Sequence, residues 1–273
     1  MEDNDEDVMK NFETLRVQDE ANVLTVTLHR PERRNALNPQ MMEELLHVFD
    51  AAAQRTACVL LLTGAGAAFC AGLDMEHLRA LSQKSSAEHA ADAERMIRLF
   101  RALYELPIPT IAAVHGPALA GGMGLATLCD FTLAARGAQF GYTEVRIGFI
   151  PAMVSTFLSL QIGEKYARDL LLTGRLISAE EAQRMGLVHE VLEPDALLAR
   201  AQTLAQTLLQ NSPQALRATK QMMLERVRGR LDAELQAAIP YSVAARATED
   251  FREGVAAFLE KRRPQWPSAA KEK

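Results

Sequence analysis

The first half of the chain alternates short apolar runs with helical patterns. Residues 22–29 are rich in Val, Leu and Thr and nearly alternate apolar with polar positions, which predicts a strand. Residues 57–64 and 109–116 are continuously apolar and end at a glycine, as strands buried on both faces do. Asn38 and Pro39 predict a helix start between the first two strands, because asparagine caps helices and proline fits their first turn. The order strand, helix, strand predicts a parallel sheet with helices on its faces.

Beyond these elements, the pattern changes along the chain. Residues 129–135 predict a further strand, and residues 138–151 predict a short strand followed by a loop. Residues 81–94 are polar and have no apolar stripe, so we expect a mobile loop there. Amphipathic helical patterns dominate from residue 154 onward, and neither an internal repeat nor a linker separates domains. The pattern therefore predicts an α/β core followed by a helical region.

Composition narrows the class of protein and its setting. The chain has 273 residues and is 48% hydrophobic and 24% charged, which is typical of a soluble globular protein. Cys58, Cys70 and Cys129 each lie in an apolar run, which favours buried free thiols over a disulfide or zinc framework. The acidic N-terminus and the absence of a spanning apolar run predict a cytoplasmic protein without a membrane partner. A net charge of −5 argues against a nucleic-acid partner.

The most unusual segment is the glycine-rich stretch ALAGGMGLATLCD, residues 118–130, where a buried strand leads into a helix. Gly72 lies in a second strand-to-helix turn of the same kind. Helix N-termini present backbone N–H groups without intrahelical acceptors, so two such turns facing each other can bind one negatively charged oxygen. The alternative is that Gly72, Gly121 and Gly122 only permit close packing of helix on sheet. The pattern leaves both interpretations open.

Other familiar sites fit the sequence poorly. A dinucleotide fingerprint beginning at Gly64 and Gly66 would need a third glycine where Phe69 stands. The six histidines show no metal-ligand spacing, so we expect no metal site. Glu144 lies between apolar and aromatic residues, where an ionised carboxylate is costly unless it is paired or functional. It is either an ion-pair partner of Arg146 or another arginine, or a catalytic group.

Five blocks, in this order, carry a family resemblance: HRPERRNALN, TGAGAAFCAGLDM, residues 112–151, LLTGRLISAEEAQRMGLVHEV and EDFREGVAAFLEKRRP. Together they resemble the enoyl-CoA hydratase/isomerase family, the crotonase superfamily. The resemblance implies an α/β fold in which a spiral of repeated β-β-α turns covers residues 13–205. It implies a C-terminal helical trimerisation region over residues 206–273, and a homotrimer or homohexamer. Residues 1–12 form an acidic leader outside the likeness, which we expect to be disordered.

The resemblance also implies a substrate and a set of site residues. The substrate is an acyl-CoA thioester, and no separate cofactor is expected. The backbone N–H groups of Leu73 and Gly121 would form an oxyanion hole for the thioester oxygen, and Glu144 would move the proton. The family places coenzyme A beside six further positions, of which Asp74 is also a candidate helix cap. These positions are Arg33, Arg34, Ala36, Ala71, Asp74 and Met75.

One position departs from the family pattern. Hydratases of the family generally carry two glutamates, and the first of them corresponds to Gly124 here. Glu144 alone would therefore either hydrate a trans-2-enoyl-CoA or move a proton between C4 and C2 as a Δ3,Δ2-enoyl-CoA isomerase. We favour the hydratase, because the block around Glu144 is hydratase-like. A non-catalytic acyl-CoA-binding homologue is the remaining alternative.

Overall fold

A computed structural model describes residues 12–270 of the chain, and its strands form two sheets. The strands are β1 (Leu15–Glu20), β2 (Val23–Leu28), β3 (Val59–Gly64), β4 (Thr110–Val114), β5 (Ala118–Leu119), β6 (Phe131–Ala135), β7 (Gln139–Gly141), β8 (Ile177–Ser178) and β9 (Glu190–Leu192). The large sheet has the order β1-β2-β3-β4-β6-β9, and only the β1–β2 pair is antiparallel. The small sheet has the order β5-β7-β8. The predicted parallel sheet is therefore confirmed.

The helices follow the strands early in the chain and dominate it later. They are α1 (Pro39–Ala53), α2 (Met75–Leu81), α3 (Ser86–Tyr104), α4 (Gly121–Leu128), α5 (Ala152–Thr173), α6 (Ala179–Met185), α7 (Leu197–Leu209), α8 (Pro213–Glu225), α9 (Arg228–Arg246), α10 (Glu249–Leu259) and α11 (Pro267–Ala270). Short 3-10 helices span Pro31–Arg33, Glu144–Ile147 and Pro194–Ala196. The Asn38 side chain accepts a hydrogen bond from the Met41 amide, so the predicted cap of α1 is confirmed.

Both faces of the large sheet are buried at its central strands β3 and β4, as their continuously apolar runs predict. On one face, Leu61 of β3 and Ile111 of β4 pack against Ala201 and Ala205 of α7. On the other face, the alternate residues of the same strands join a larger core that includes side chains of α1, α3 and α4. The three cysteines are buried and free, which confirms that part of the sequence analysis. This two-sided packing fixes the strand ends from which the site is built.

Residues 86–94 of the polar segment 81–94 are helical, so the predicted mobile loop was wrong for all but the short connection at residues 82–85. Helix α3 begins at Ser86, and Ser85 forms a capping box in which its hydroxyl accepts from the Glu88 amide while Glu88 accepts from the Ser85 amide. The inward-facing stripe of this half-helix contains His89 and Asp92, each only 3% exposed. Because polar residues occupy core positions there, the hydrophobic pattern does not reveal the helix.

The structure describes the predicted N-terminal leader and the predicted domain boundary only in part. The predicted acidic leader lies outside the described residues apart from Phe12, whose ring packs against His47. The predicted boundary between residues 205 and 206 falls inside α7, a helix that packs on the sheet. None of the helices between residues 12 and 270 is long and apolar enough to cross a bilayer.

Candidate active site

One cavity of about 800 Å³ lies where the turns after β3 and β5 meet helix α3 and the C-terminal helices. Its wall includes every site residue expected from the sequence: Arg33, Arg34, Ala36, Ala71, Leu73, Asp74, Met75, Gly121 and Glu144. The volume is in the range of cavities that hold small organic ligands. The fold therefore brings together residues that are more than a hundred positions apart in the chain.

In the turn after β3, the backbone hydrogen bonds with Leu37 do not use the N–H group of Leu73. Leu37 donates its N–H to the carbonyl of Gly72 at 2.7 Å and accepts the N–H of Asp74 at 2.9 Å. In this bridge of Leu37 with Leu73, both hydrogen bonds use the neighbours of Leu73, so the N–H of Leu73 itself points away from Leu37. Gly72 has a φ of 89°, which an L side chain rarely adopts.

The second turn delivers Gly121 as the first residue of α4. An amide at this position has no acceptor within its own helix. Ala120, just before it, has a φ of 49° and donates its N–H to the Gly141 carbonyl at 2.7 Å, which fixes the entry of the helix. A Cβ on Gly72 would lie 2.8 Å from the Ala120 Cβ and 3.6 Å from the Gly121 nitrogen. The two turns are thus in direct contact, with the cavity beside them.

Gly72, Gly121 and Gly122 are required for different structural reasons. A Cβ on Gly122 would lie 2.2 Å from the Cys70 carbonyl oxygen, so this glycine is required by packing. A Cβ on Gly121 would meet only Leu37 Cδ1 at 3.5 Å and Phe100 Cζ at 3.8 Å, which is ordinary contact. Packing accounts for Gly72 and Gly122, whereas Gly121 combines a spare amide with room at its α-carbon.

Glu144 is a buried carboxyl group that forms no ion pair with any residue the structure describes. It begins a short 3-10 helix and is 8% exposed, and its Oε2 atom has no hydrogen-bond partner among residues 12–270. Burial disfavours the charged form and raises the pKa of Glu144 to about 7, which its own backbone N–H offsets only in part. The Arg146 side chain is exposed and packs near Gly174 instead. The ion-pair interpretation of Glu144 is therefore wrong.

The position of the missing first glutamate faces apolar side chains. A Cβ on Gly124 would lie 2.9 Å from Val154 Cγ1 and 3.1 Å from Phe100 Cζ. Both of these residues line the cavity, as does Met96. A longer side chain at position 124 would therefore require Val154 or Phe100 to move. The neighbours of position 124 are thus apolar, and within the described residues no carboxyl group takes the place of the missing glutamate there.

The polar part of the cavity wall carries charges of both signs, including Arg33, Arg34, Asp74 and Glu76. Arg33 forms an ion pair with Glu76 at 3.2 Å, with both side chains at least half exposed. Arg34 is exposed and takes a left-handed φ of 51° at the end of the Pro31–Arg33 helix. Asp74 caps α2 through the Glu76 amide and pairs with Arg30 at 3.0 Å. Although burial alone would raise it, these two hydrogen bonds hold the pKa of Asp74 below its usual value, so its carboxylate serves the fold.

Several wall residues escaped the sequence analysis. Ser242 and Arg246 come from α9, while Phe258, Lys261 and Arg262 come from α10 and the segment after it. No motif marks Ser242 and Arg246, and the block EDFREGVAAFLEKRRP, which contains the other three, was not assigned to the site. Only the packing of α9 and α10 on the core brings these residues to the cavity. The spacing of Ser242 and Arg246, four residues apart on one helix, is the only signal that could have joined them.

The comparisons with known proteins agree with this architecture. Residues 18–269 match the family model described as enoyl-CoA hydratase/isomerase. A putative enoyl-CoA hydratase of Thermus thermophilus is 41% identical over 249 residues, covering 91% of this chain and 98% of that protein. The 2,3-dehydroadipyl-CoA hydratase of Escherichia coli is 37% identical, covering 89% of this chain and 94% of that protein.

A solved structure is similar over nearly its whole length. The enoyl-CoA hydratase/isomerase of Xanthobacter autotrophicus Py2 matches with a TM-score of 0.85 at 28% identity, covering 92% of this chain and 98% of that one. The fold and the relatives thus define an enzyme of the crotonase superfamily. Within it, the chain belongs to the enoyl-CoA hydratase/isomerase family.

Proposed function

We propose that the enzyme adds water to a trans-2-enoyl-CoA thioester and that Glu144 is its single acid/base. The observation that carries the proposal is the Glu144 carboxyl group, which is buried, unpaired and has a pKa of about 7 in the cavity wall. General acid/base groups work best when their pKa lies near the working pH. The relatives named as enoyl-CoA hydratases support the same reaction class.

In this proposal, the thioester carbonyl oxygen accepts hydrogen bonds from the Leu73 and Gly121 amides. Both amides belong to the turns that meet beside the cavity, and neither is used by the backbone pairings described above. Addition of water to the conjugated thioester places negative charge on that oxygen in an enolate-like state. Removing one such donor from an oxyanion hole costs about 2.7–4 kcal/mol of transition-state stabilisation in other enzymes.

Glu144 would carry the proton through the whole addition. As a carboxylate it removes a proton from water while the water oxygen bonds to C3, and the π electrons move to the thioester oxygen. The resulting carboxylic acid then returns the proton to C2 as the enolate collapses, so that water is added overall and Glu144 is regenerated. Gly124 has no side chain to share this work, which explains why one group is assigned both steps.

The coenzyme A portion is assigned to the polar part of the cavity wall. Arg33 and Arg34 are exposed there and are suited to phosphate oxygens, because guanidinium groups form charge-assisted hydrogen bonds with phosphate. Ala36, Ala71 and Met75 line the adjoining wall and would contribute backbone and van der Waals contacts. The substrate is then oriented with its acyl group toward Glu144 and the apolar wall.

A parallel assay tests the reaction. Crotonyl-CoA and a 3-enoyl-CoA are incubated separately with the enzyme, and the absorbance of the conjugated thioester is followed. Hydration predicts loss of this absorbance with crotonyl-CoA, and Glu144→Gln should lower kcat by about 10²–10⁴-fold because it removes acid/base catalysis. Gln keeps the shape of the side chain, so coenzyme A binding serves as the control for an intact site.

Isomerisation is the second candidate, and the apolar surroundings of Gly124 favour it. With Phe100 and Val154 at that position, no second carboxyl group is available to orient water. Appearance of the conjugated absorbance from the 3-enoyl-CoA, without loss from crotonyl-CoA, would replace the hydratase assignment. Binding of acyl-CoA with neither change would instead support the non-catalytic alternative.

A further inference from the structure

A buried cluster of charged side chains lies behind the acyl side of the cavity. Arg246 is 2% exposed and donates to Asp92 Oδ2 at 2.8 Å and to the His89 carbonyl at 2.7 Å. Asp92 also contacts His77 Nε2 at 2.7 Å. The cluster therefore ties α9 to α3 and α2. Fully buried arginines are rare unless they are paired, and Arg246 is paired with Asp92.

Arg246 also carries a donor that is unused. Its Nε atom is buried and has no hydrogen-bond partner in the part of the chain that the structure describes. Arg246 is nevertheless part of the cavity wall, and its guanidinium carbon lies 5.3 Å from the ring centroid of Phe149, another wall residue. A buried N–H without an acceptor is costly, so such a group calls for a partner. Because the same side chain lines the cavity, a bound ligand is the candidate source of this acceptor.

The neighbourhood shows which part of a bound substrate reaches Arg246. The Phe149 amide donates to the Glu144 carbonyl at 3.1 Å. The Phe149 ring also contacts the Arg246 guanidinium, so Phe149 connects the segment of Glu144 to Arg246. Ala93 and Met96, on the same stretch of α3 as Asp92, also line the cavity. Ser242, one helical turn before Arg246, adds a hydroxyl group to this wall and is 1% exposed.

The charges of the cluster indicate what kind of acceptor fits. Asp92 faces Arg246, and Arg95 approaches the same carboxylate at 3.7 Å while pairing with Glu43 at 3.0 Å. Within the buried part of the cluster, Arg246 and Asp92 carry opposite charges, and both side chains are only 3% exposed, so this pair is balanced. Bringing a carboxylate into this buried site would add an uncompensated charge, whereas an uncharged oxygen would only supply the missing acceptor.

We propose that the Arg246 Nε–H hydrogen-bonds an uncharged oxygen on the distal part of the acyl chain, so that the site prefers keto- or hydroxy-substituted acyl-CoA thioesters over plain alkyl ones. This inference rests on the proposed acyl-CoA substrate, and it makes Arg246 a specificity-determining residue. Ser242 provides a second polar contact for the same oxygen. The apolar wall near Phe100 and Val154 holds the rest of the chain.

Binding of unreactive saturated thioesters tests this without depending on the reaction. Titration calorimetry compares 5-oxohexanoyl-CoA with hexanoyl-CoA, and 7-oxooctanoyl-CoA with octanoyl-CoA. We expect one keto thioester to bind about tenfold more tightly than its alkyl partner, the effect of one good hydrogen bond. Equal binding in both pairs would overturn the inference alone, whereas no binding of any thioester would contradict the proposed function as well. Tighter binding of adipyl-CoA than of either keto thioester would overturn the choice of an uncharged oxygen.

Variants locate the preference at Arg246. Arg246→Lys keeps a cation beside Asp92 but removes the Nε donor, so it should bring the affinity for the keto thioester down to that of the alkyl one. Because a broken buried pair can destabilise the fold, Arg246→Met combined with Asp92→Leu removes both charges and should give the same result. Arg95→Lys is the matched control, since it changes a half-buried partner of the same carboxylate, and the keto preference should persist. A preference that survives Arg246→Lys would overturn the assignment.

Discussion

The residue with the most unusual environment is Glu144, and its environment has a measurable cost. Burial raises the pKa of Glu144 from 4.5 to about 7, so the folded protein holds this proton over a range where the unfolded chain has lost it. The contribution of Glu144 to the free energy of unfolding is therefore at its maximum below pH 4.5. It falls as the pH rises and is lost above about pH 7. At higher pH the folded state keeps a buried, unpaired carboxylate.

Glu144→Gln should accordingly be more stable than the wild type at alkaline pH. A shift of this size corresponds to about 3 kcal/mol at pH 8, because each pKa unit is worth about 1.4 kcal/mol. Between pH 8 and pH 5.5 the advantage of the variant should shrink by about 2 kcal/mol. Urea unfolding of both proteins at the two pH values measures this difference. A difference that does not change with pH would mean that Glu144 is not buried as a carboxylate.

Gly72 allows a direct test of the contact between the two turns. Gly72→Ala places a Cβ within 2.8 Å of Ala120 and 3.0 Å of the Leu119 carbonyl oxygen, which pushes the Leu73 and Gly121 amides apart. We expect kcat/KM to fall about 10²-fold, the usual effect of misplacing catalytic groups by about 1 Å. Steady-state assays with the substrate identified above measure the effect.

Gly137→Ala is the matched control for that variant. Gly137 has a φ of 91°, close to the 89° of Gly72, but a Cβ there would meet nothing within 4 Å. Both variants should lose about 1–2 kcal/mol of stability from the unfavourable backbone conformation. Only Gly72→Ala should lose activity, and equal losses in both variants would contradict the proposed contact.

At the scale of elements, the sequence predicted best where burial is two-sided. The strands β3 and β4 were recognised because every position in them except the terminal Gly64 is buried, so the apolar run is unbroken. Strand β1 was missed because three of its six residues, including Arg16, are exposed at the edge of the sheet beside β2. The first half of α3 was missed for a related reason, since His89 and Asp92 stand where apolar residues normally signal a helix.

Helix α3 gives the next prediction, because its start depends on one exposed serine. Ser85→Ala removes the hydroxyl that accepts the Glu88 amide and should cost about 1 kcal/mol of stability. Ser86→Ala is the control, since Ser86 is the first residue inside the helix and is not its cap. Urea unfolding should show no loss for Ser86→Ala. Equal stability of the two variants would mean that the capping box does not hold this helix.

At the scale of the whole molecule, the site is predictable only in part. The family resemblance implied Leu73, Gly121 and Glu144 as site residues, because each belongs to a motif that is continuous in sequence. The sequence left open whether Glu144 pairs with Arg146, since the direction of neighbouring side chains depends on the packing of distant elements. Arg246 was out of reach for the same reason, because its place in the wall follows from α9 packing on α3.

Exposed apolar side chains on the surface bear on the expected homotrimer or homohexamer. The large hydrophobic side chains that remain exposed in the described chain all follow residue 165: Tyr166, Leu172, Leu176, Leu198, Met222, Met223, Tyr241, Phe258 and Leu259. Leu172 is 72% exposed, more than any of the others. Apolar side chains concentrated in one part of a soluble protein are typical of surfaces that assembly covers. Five of these nine side chains lie in the expected trimerisation region, residues 206–273, and the other four, including Leu172, precede it, so this region stays a prediction.

We therefore expect a particle of three or six copies of the 30.1 kDa chain. Light scattering coupled to size exclusion measures the mass, and a monomer at micromolar concentration would contradict the expectation. Leu172→Glu should lower the mass, because burying a carboxylate in an apolar contact is unfavourable. Leu172→Met, which keeps an apolar side chain of similar size, should leave the mass unchanged. An intact oligomer in Leu172→Glu would mean that the copies meet through another part of the surface, so the two measurements separate assembly from the face that mediates it.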